Sequence, residues 1–401
     1  MDVPVTCYAC GATATRATGA RCDCGEPYWV ETAPADFDWP PDAERSMWRY
    51  RDLLPDCDPT GLSRAAGGTP LVRAPRLDGD LGARVSIKYE GANPTGTFKD
   101  RGSAVGVTLA AASGYDAVGT VSHGNMARSM AAHAASCDLE CVVVVPADIP
   151  PGRLDLIARH DPTILRVRGD YERLYRESLR VEGAGRIAFV NSDTPLRVAG
   201  QKTTGLEIAE AFAPDAPDAV VVPVSSGGHG SGLWKAFREL AAAGLIEKLP
   251  RLYFVQAAAC APIAAAWDRG DETVSPVEGG ETVAYSIANA DPPSGNRILS
   301  AAAATGGGVI AVEDEAILAA RDAIARRAGL SVETASATVL AGARALADRG
   351  ALDDATDVVL VTTGTGYTES DPAPGEGESH DASTVSIEDL GAAIDTHLGG
   401  E

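Results

Sequence analysis

The chain has 401 residues, with 34 Lys and Arg against 56 Asp and Glu, a formal net charge of −22. At 45% hydrophobic and 22% charged, it is long and apolar enough for two or three packed domains and unlike a disordered chain. The acidic balance argues against nucleic-acid or anionic-membrane partners, whose phosphates call for clustered cations.

No run approaches 18 apolar residues, and the first residues lack a basic and then apolar leader, so a soluble, cytoplasmic protein is expected. Five of the cations are lysines: Lys88, Lys99, Lys202, Lys235 and Lys248. A carboxylate-rich, lysine-poor surface suits concentrated salt, where screening is short-ranged. A halophilic setting is the expectation, with an ordinary acidic protein as the alternative.

The chain opens with Cys7-x-x-Cys10 and Cys22-x-Cys24, which predicts a zinc-ribbon-like module over residues 1–32 holding one structural zinc. The second pair is one residue tighter than the usual spacing, and a metal-free, reduced module is the alternative. Residues 33–60, rich in Trp, Pro and Asp, read as an irregular connector. From about residue 68, short β-branched runs alternate with Ala-, Arg- and Glu-rich stretches. Strands are predicted at 84–89, 117–122, 141–146, 164–168, 187–191, 219–224, 252–256 and 357–362. Helices are predicted at 100–113, 126–136, 152–160, 170–182, 197–213, 231–243, 313–328 and 333–349. The alternation predicts an α/β fold with parallel sheets. Residues 369–401 carry nine Asp and Glu and no Lys or Arg, an acidic and mobile tail by composition, with a short amphipathic helix near 387–397.

Five segments carry chemistry. In Asn93-Pro94-Thr95-Gly96-Thr97-Phe98-Lys99-Asp100-Arg101-Gly102, a strand runs into a tight turn, and Thr97 can cap a helix whose first turn holds Lys99. The helix dipole there disfavours the ammonium, which suits an imine-forming amine. Ser122-His123-Gly124-Asn125 joins a strand to an Ala-rich helix, leaving backbone N–H groups for a carboxylate and an amide for a phenolate-type oxygen. Gly227-Gly228-His229-Gly230-Ser231 opens another helix as an anion nest, and fits neither a dinucleotide fingerprint nor a triphosphate loop. Asn191 and Ser192, followed by Arg197 and Lys202, offer donors for a phosphate or carboxylate. Thr363, at the end of the last strand, can hydrogen-bond an unprotonated ring nitrogen.

In this order the segments resemble the pyridoxal-phosphate enzymes of fold type II, the tryptophan synthase β family, and most closely its archaeal-type threonine synthases. Gly67-Gly68-Thr69-Pro70-Leu71 and Met47-Trp48-Arg49-Tyr50 share that resemblance. It implies two parallel-sheet α/β domains clasping pyridoxal 5′-phosphate. The large domain would span 33–99 and 206–368, and a smaller mobile one 100–205. By resemblance Lys99 is the Schiff-base lysine and acid/base, Asn125 the partner of the cofactor's O3′, Gly227 to Ser231 the cofactor-phosphate nest and Thr363 the ring-nitrogen partner. Ser122, His123 and Gly124 then hold the substrate carboxylate, while Asn191, Ser192, Arg197 and Lys202 hold the phosphate of O-phosphohomoserine. A homodimer is expected. Met126 stands where that subfamily usually has Thr, which leaves cysteate synthase and serine/threonine dehydratase as alternatives within the family. A nicotinamide oxidoreductase lacks its glycine fingerprint, and a zinc-ribbon nucleic-acid adaptor does not explain Lys99.

Overall fold

The computed structural model describes residues 3–15, 21–40, 45–122, 124–147, 149, 154–168, 177–178, 181, 187–369, 385–390, 393–394 and 396. Its described strands form three sheets. A small antiparallel sheet, β2-β1-β3, is built from Pro4–Cys7 (β1), Thr13–Thr15 (β2) and Tyr28–Val30 (β3). A six-stranded sheet runs in the order β12-β11-β10-β13-β5-β4. It comprises Leu71–Arg73 (β4), Arg84–Tyr89 (β5), Ala219–Pro223 (β10), Arg251–Ala257 (β11), Gly308–Val312 (β12) and Asp357–Thr362 (β13). All its pairings are parallel except that of the edge strand β4 with β5. A four-stranded parallel sheet, β8-β7-β6-β9, uses Ala117–Val121 (β6), Glu140–Pro146 (β7), Thr163–Val167 (β8) and Ile187–Phe189 (β9).

Strand β10 shows why the large sheet forms. Its five residues are all buried, as expected for a parallel strand covered on both faces. Val220 and Val222 pack in one cluster with Leu233 and Phe237 of helix Gly228–Ala242. Ala219 and Val221 point the other way, into a cluster with Val339 and Leu340 of helix Thr334–Asp348. The period-2 alternation thus feeds two separate layers, each buried valine contributing roughly 1.5–3 kcal/mol.

The strand order also gathers the chemistry. The last strand, β13, slots between β10 and β5 in parallel register, so the loops after β5, β10 and β13 leave the same sheet edge, where open α/β folds bind ligands. In the smaller sheet β6 and β9 are neighbours, which brings the loops opening at Ser122 and Val190 together. Residues up to Gly366 form one compact unit, and Tyr367–Glu401 a second. Within the second unit Asp389 N–H bonds the Ser386 carbonyl in a turn. No helix among the described residues is long and apolar enough to cross a membrane.

The eight predicted strands all form, within a residue or two. Strands β4 and β12, the N-terminal sheet and helices Pro262–Arg269 and Gly295–Thr305 are additions. The helix expected at 152–160 is reduced, among described residues, to Asp155–Ala158. Of the helix expected at 170–182 only residues 177, 178 and 181 are described, all helical, and most of the acidic tail lies outside the described residues.

Candidate active site

Lys99 is the first residue of helix Lys99–Ala112. The turn before it is pinned by Asp100, whose carboxylate accepts from Thr95 N–H and Thr95 Oγ1 at 2.6 Å each and from Ser129 Oγ at 2.5 Å. The expected capping contact is present but long: Lys99 N–H reaches Thr97 Oγ1 at 3.4 Å, and Phe98 occupies the cap position. The Lys99 amine lies 4.4 Å from the centre of the Phe98 ring. It keeps a small opening to solvent, yet protein surrounds it, and this burial, aided by the Arg197 charge, lowers its pKa from 10.5 to about 7 against an opposing pull from Glu333. A neutral amine is therefore accessible near neutral pH.

The helix carrying Arg197, Pro195–Phe212, crosses the Lys99 helix at very short range. A Cβ at Gly102 would lie 2.4 Å from Arg197 Cγ, and one at Gly200 2.1 Å from the Arg101 carbonyl; only glycine permits this approach. Arg197 is fully buried. Its hydrogen bonds among the described residues go to neutral oxygens: the Val190 carbonyl at 3.1 and 3.3 Å, the Lys99 carbonyl at 3.3 Å and Ser103 Oγ at 3.4 Å. Burial, with no ion-pair partner among the described residues, lowers even this guanidinium to about 9, while the Asp100 charge pulls the other way. Such a cation is a ready anion site.

The segment expected to form the nest enters its helix three residues earlier than the sequence suggests. Gly227 takes φ +89° and caps helix Gly228–Ala242, leaving the first N–H groups without an intrahelical acceptor. The nest abuts the Asn191–Ser192 segment, since a Cβ on Gly228 would meet the Ser192 carbonyl at 2.7 Å. The His229 ring stacks on Phe98, with centroids 4.1 Å apart and 17° between planes, and its Nε2 meets Thr204 Oγ1 at 3.0 Å. Its buried Nδ1 has no partner among the described residues. Desolvation, with the charges of Arg101 and Lys99, keeps the imidazole neutral. Ser231 supports the nest from the side of the cysteine module: its N–H bonds the Gly227 carbonyl and its Oγ accepts from Trp29 Nε1 at 2.8 Å.

Thr363 lies against the Lys99 turn, its carbonyl accepting from Phe98 N–H at 3.0 Å and Thr97 Oγ1 at 3.3 Å. Ser336, which sequence reasoning did not single out, defines its hydroxyl. Ser336 Oγ accepts from the N–H groups of Thr363 and Gly364 at 3.0 Å each. With both lone pairs engaged, it can only donate in its 2.9 Å contact with Thr363 Oγ1, so the Thr363 proton is free for another acceptor.

Asn125 begins helix Asn125–Ala135, and its Nδ2 donates to Glu333 Oε1 at 2.6 Å. Glu333 was missed as a site residue: a carboxylate before a helix reads as a dipole partner. Gly364 leaves room for that carboxylate: a Cβ there would lie 2.5 Å from Glu333 Oε2, so a larger residue would displace the Glu333 carboxylate. Gly124 N–H bonds Ser122 Oγ at 3.3 Å, and His123 lies outside the described residues. Arg128 was also missed; its buried Nε and Nη2 have no partner among the described residues.

Two expected phosphate ligands are otherwise engaged. Lys202, buried and lowered to about 8 by desolvation, donates to Glu239 at 2.8 Å, so its charge is consumed there. Asn191 accepts from Val121 N–H and donates to Ser178 Oγ, both at 3.0 Å, which ties β9 to β6. Ser192 Oγ contacts Met126 Sδ at 3.5 Å. Cys7, Cys10, Cys22 and Cys24 do converge, their sulfurs within 4.8 Å of one another.

A family model described as pyridoxal-phosphate dependent enzyme matches residues 62–364. The chain is 36% identical over 333 residues to the threonine synthase of Methanocaldococcus jannaschii, covering 82% of each chain. It is 37% identical over 322 residues to that of Methanosarcina acetivorans, covering 80% of this chain and 79% of the relative. Among solved structures it matches maize serine racemase at 20% identity with a TM-score of 0.64, over 82% of this chain and 92% of that one. It matches the processed form of threonine deaminase isoform 2 from Solanum lycopersicum at 18% identity with a TM-score of 0.65, over 96% of this chain and 97% of that one. With the fold, the lysine turn and the family match agreeing over most of its length, the chain belongs to the pyridoxal-phosphate dependent enzymes.

Proposed function

We propose that the protein converts O-phosphohomoserine and water to threonine and inorganic phosphate. One observation carries the reading: two anion sites stand beside Lys99, the nest at Gly227–Gly230 and the buried Arg197 guanidinium. A cofactor phosphate fills the first, which leaves Arg197 for a phosphate on the substrate. The similarity to threonine synthases at 36–37% identity supports it.

The residues fit pyridoxal phosphate. Lys99 offers the amine, the nest and His229 Nδ1 offer donors to its phosphate, Asn125 offers an amide to its O3′, and Thr363 has a hydroxyl proton to give the ring nitrogen. When bound, the cofactor draws electrons from bonds breaking at the amino acid's α-carbon. The protein's share is positioning and proton transfer. Lys99 Nζ, its neutral form populated near pH 7, carries one proton at a time. It takes the Cα proton and passes it on, then takes a Cβ proton that goes to Cγ once phosphate has left. A proton returns to Cα when water has given its hydroxyl to Cβ and its remaining proton to the phosphate, each transfer contributing on the order of 10²- to 10⁴-fold. N–H groups opening helix Asn125–Ala135, with Ser122 and Gly124, orient the carboxylate. Arg197 stabilises the phosphate as it leaves Cγ, and water adds at Cβ. One structural zinc on the four N-terminal thiolates completes the reading.

The test offers purified enzyme O-phosphohomoserine, O-phosphoserine with sulfite, serine and threonine in parallel. Threonine and phosphate from the first substrate alone support the proposal. Ammonia from serine or threonine, with both phosphorylated amino acids ignored, would replace it with a dehydratase; sulfite-dependent use of phosphoserine would replace it with cysteate synthesis.

A further inference from the structure

The cysteine module is attached to both anion sites. Its sulfurs pair at 3.6 Å for Cys7 with Cys24 and 3.5 Å for Cys10 with Cys22. A tetrahedral thiolate site with Zn–S of ~2.3 Å has S···S edges of about 3.8 Å, so the cluster has the size of a single zinc site. The turn within it is closed by Gly25 N–H on the Cys22 carbonyl at 2.8 Å. Arg21 is clamped to that same turn, its Nη1 donating to the Gly25 carbonyl at 3.0 Å.

From this turn Arg21 reaches out of the module. Its Nη2 donates to Asp193 Oδ2 at 2.8 Å and to the Pro293 carbonyl at 2.7 Å. Asp193 is buried, follows Ser192 directly and lies two residues before the Arg197 helix. A second link, Trp29 Nε1 to Ser231 Oγ at 2.8 Å, touches the nest.

We propose that Cys7, Cys10, Cys22 and Cys24 hold one zinc ion, and that its occupancy fixes the Asn191–Thr194 loop through Arg21 and Asp193. Thiolates bound at Cys22 and Cys24 set the turn that aims the arginine. Without the ion, only the turn's own hydrogen bonds oppose the crowding of its four sulfurs; the turn loosens and Arg21 releases Asp193. The inference rests on the zinc part of the reading above and is independent of which amino acid is the substrate.

Protein purified without chelators is analysed for metal and its amide exchange followed at residues 191–197, with β10 as internal control. About one zinc per chain is expected. Chelation should speed exchange in the loop by about tenfold, the size of one charge-assisted hydrogen bond, and leave β10 unchanged. Arg21→Ala should give the same acceleration while retaining its zinc, and chelating that variant should add little. Should chelation unfold the module, the Arg21→Ala comparison still decides, because all four thiolates remain. Well under one zinc per chain, or unchanged loop exchange in the zinc-loaded variant, overturns the proposal.

Discussion

Arg197 donates through Nη1 to the backbone carbonyl of Lys99 at 3.3 Å, which sets a buried guanidinium against the first turn of the helix presenting the amine. Each cation is expensive for the same reason, removal from water with no carboxylate in contact among the described residues. An anion arriving beside them relieves both, so substrate affinity and amine reactivity share one electrostatic origin.

The pKa of Lys99 near 7 yields the first prediction. A lowered pKa on a base means that its neutral form is populated in the folded chain from about pH 7 upward, where an ordinary lysine would wait until about 10.4. Uptake of pyridoxal phosphate by cofactor-free protein, followed by absorbance, should therefore accelerate through a midpoint near 7 and then level off. Borohydride should fix the cofactor on Lys99. A midpoint above about 9, or an adduct mapped to Lys88 or Lys202, would refute the assignment.

Glu333 allows the sign to be tested. Its charge raises the Lys99 pKa against the effects of burial and Arg197, so Glu333→Gln should shift the uptake midpoint to lower pH. The glutamine still offers Asn125 a carbonyl acceptor in place of Glu333 Oε1, which keeps that contact while removing charge. A midpoint that moves up would show that Glu333 does not act on Lys99 through its charge.

Much of this was legible in the sequence because the motifs are local. Thr363 follows β13 directly, and the nest and the Lys99 turn lie on the loops that leave β10 and β5, so chain order fixes their place once the sheet is parallel. What escaped is what neighbours decide. Lys202 reads as a phosphate ligand until Glu239, on another helix, claims it. Ser336 and Glu333 enter the site only because β13 inserts between β10 and β5, a pairing remote in sequence. Strand β12 was hidden by the glycines that precede it, and helix Gly295–Thr305 by its glycine start, both weak in local propensity.

Arg197 can be separated from the cofactor. Arg197→Met keeps much of the volume and removes the charge, so kcat/KM for a phosphorylated substrate should fall about 10- to 150-fold, the equivalent of roughly 1.5–3 kcal/mol. Cofactor uptake should persist, because the nest is untouched. Removing an unpaired buried cation should also leave the apoprotein as stable or more so. Equal losses for phosphorylated and unphosphorylated substrates would mean that Arg197 supports the Lys99 turn rather than the substrate.

The last prediction separates surface charge from buried charge. A net charge of −22 repels itself across the surface, and the Debye length contracts from about 10 Å at 0.1 M salt to about 3 Å at 1 M. The thermal midpoint should therefore rise between dilute buffer and molar potassium chloride. Inside, Lys88 and Arg101 meet Glu90 and Glu207 with contacts of 2.6 Å, all four side chains at most 8% exposed. Arg101 holds the Glu207 carboxylate well below its usual range. Salt cannot screen this group, so Arg101→Ala, which strands Glu90 and leaves Glu207 with Lys88 alone, should cost about 3–5 kcal/mol to a similar extent at both salt concentrations. Lys88→Met, which leaves both carboxylates paired with Arg101, should cost less with the same salt independence. A midpoint insensitive to salt in the wild-type chain would count against adaptation to concentrated salt. A variant defect that shrinks in molar salt would mean that the network is hydrated.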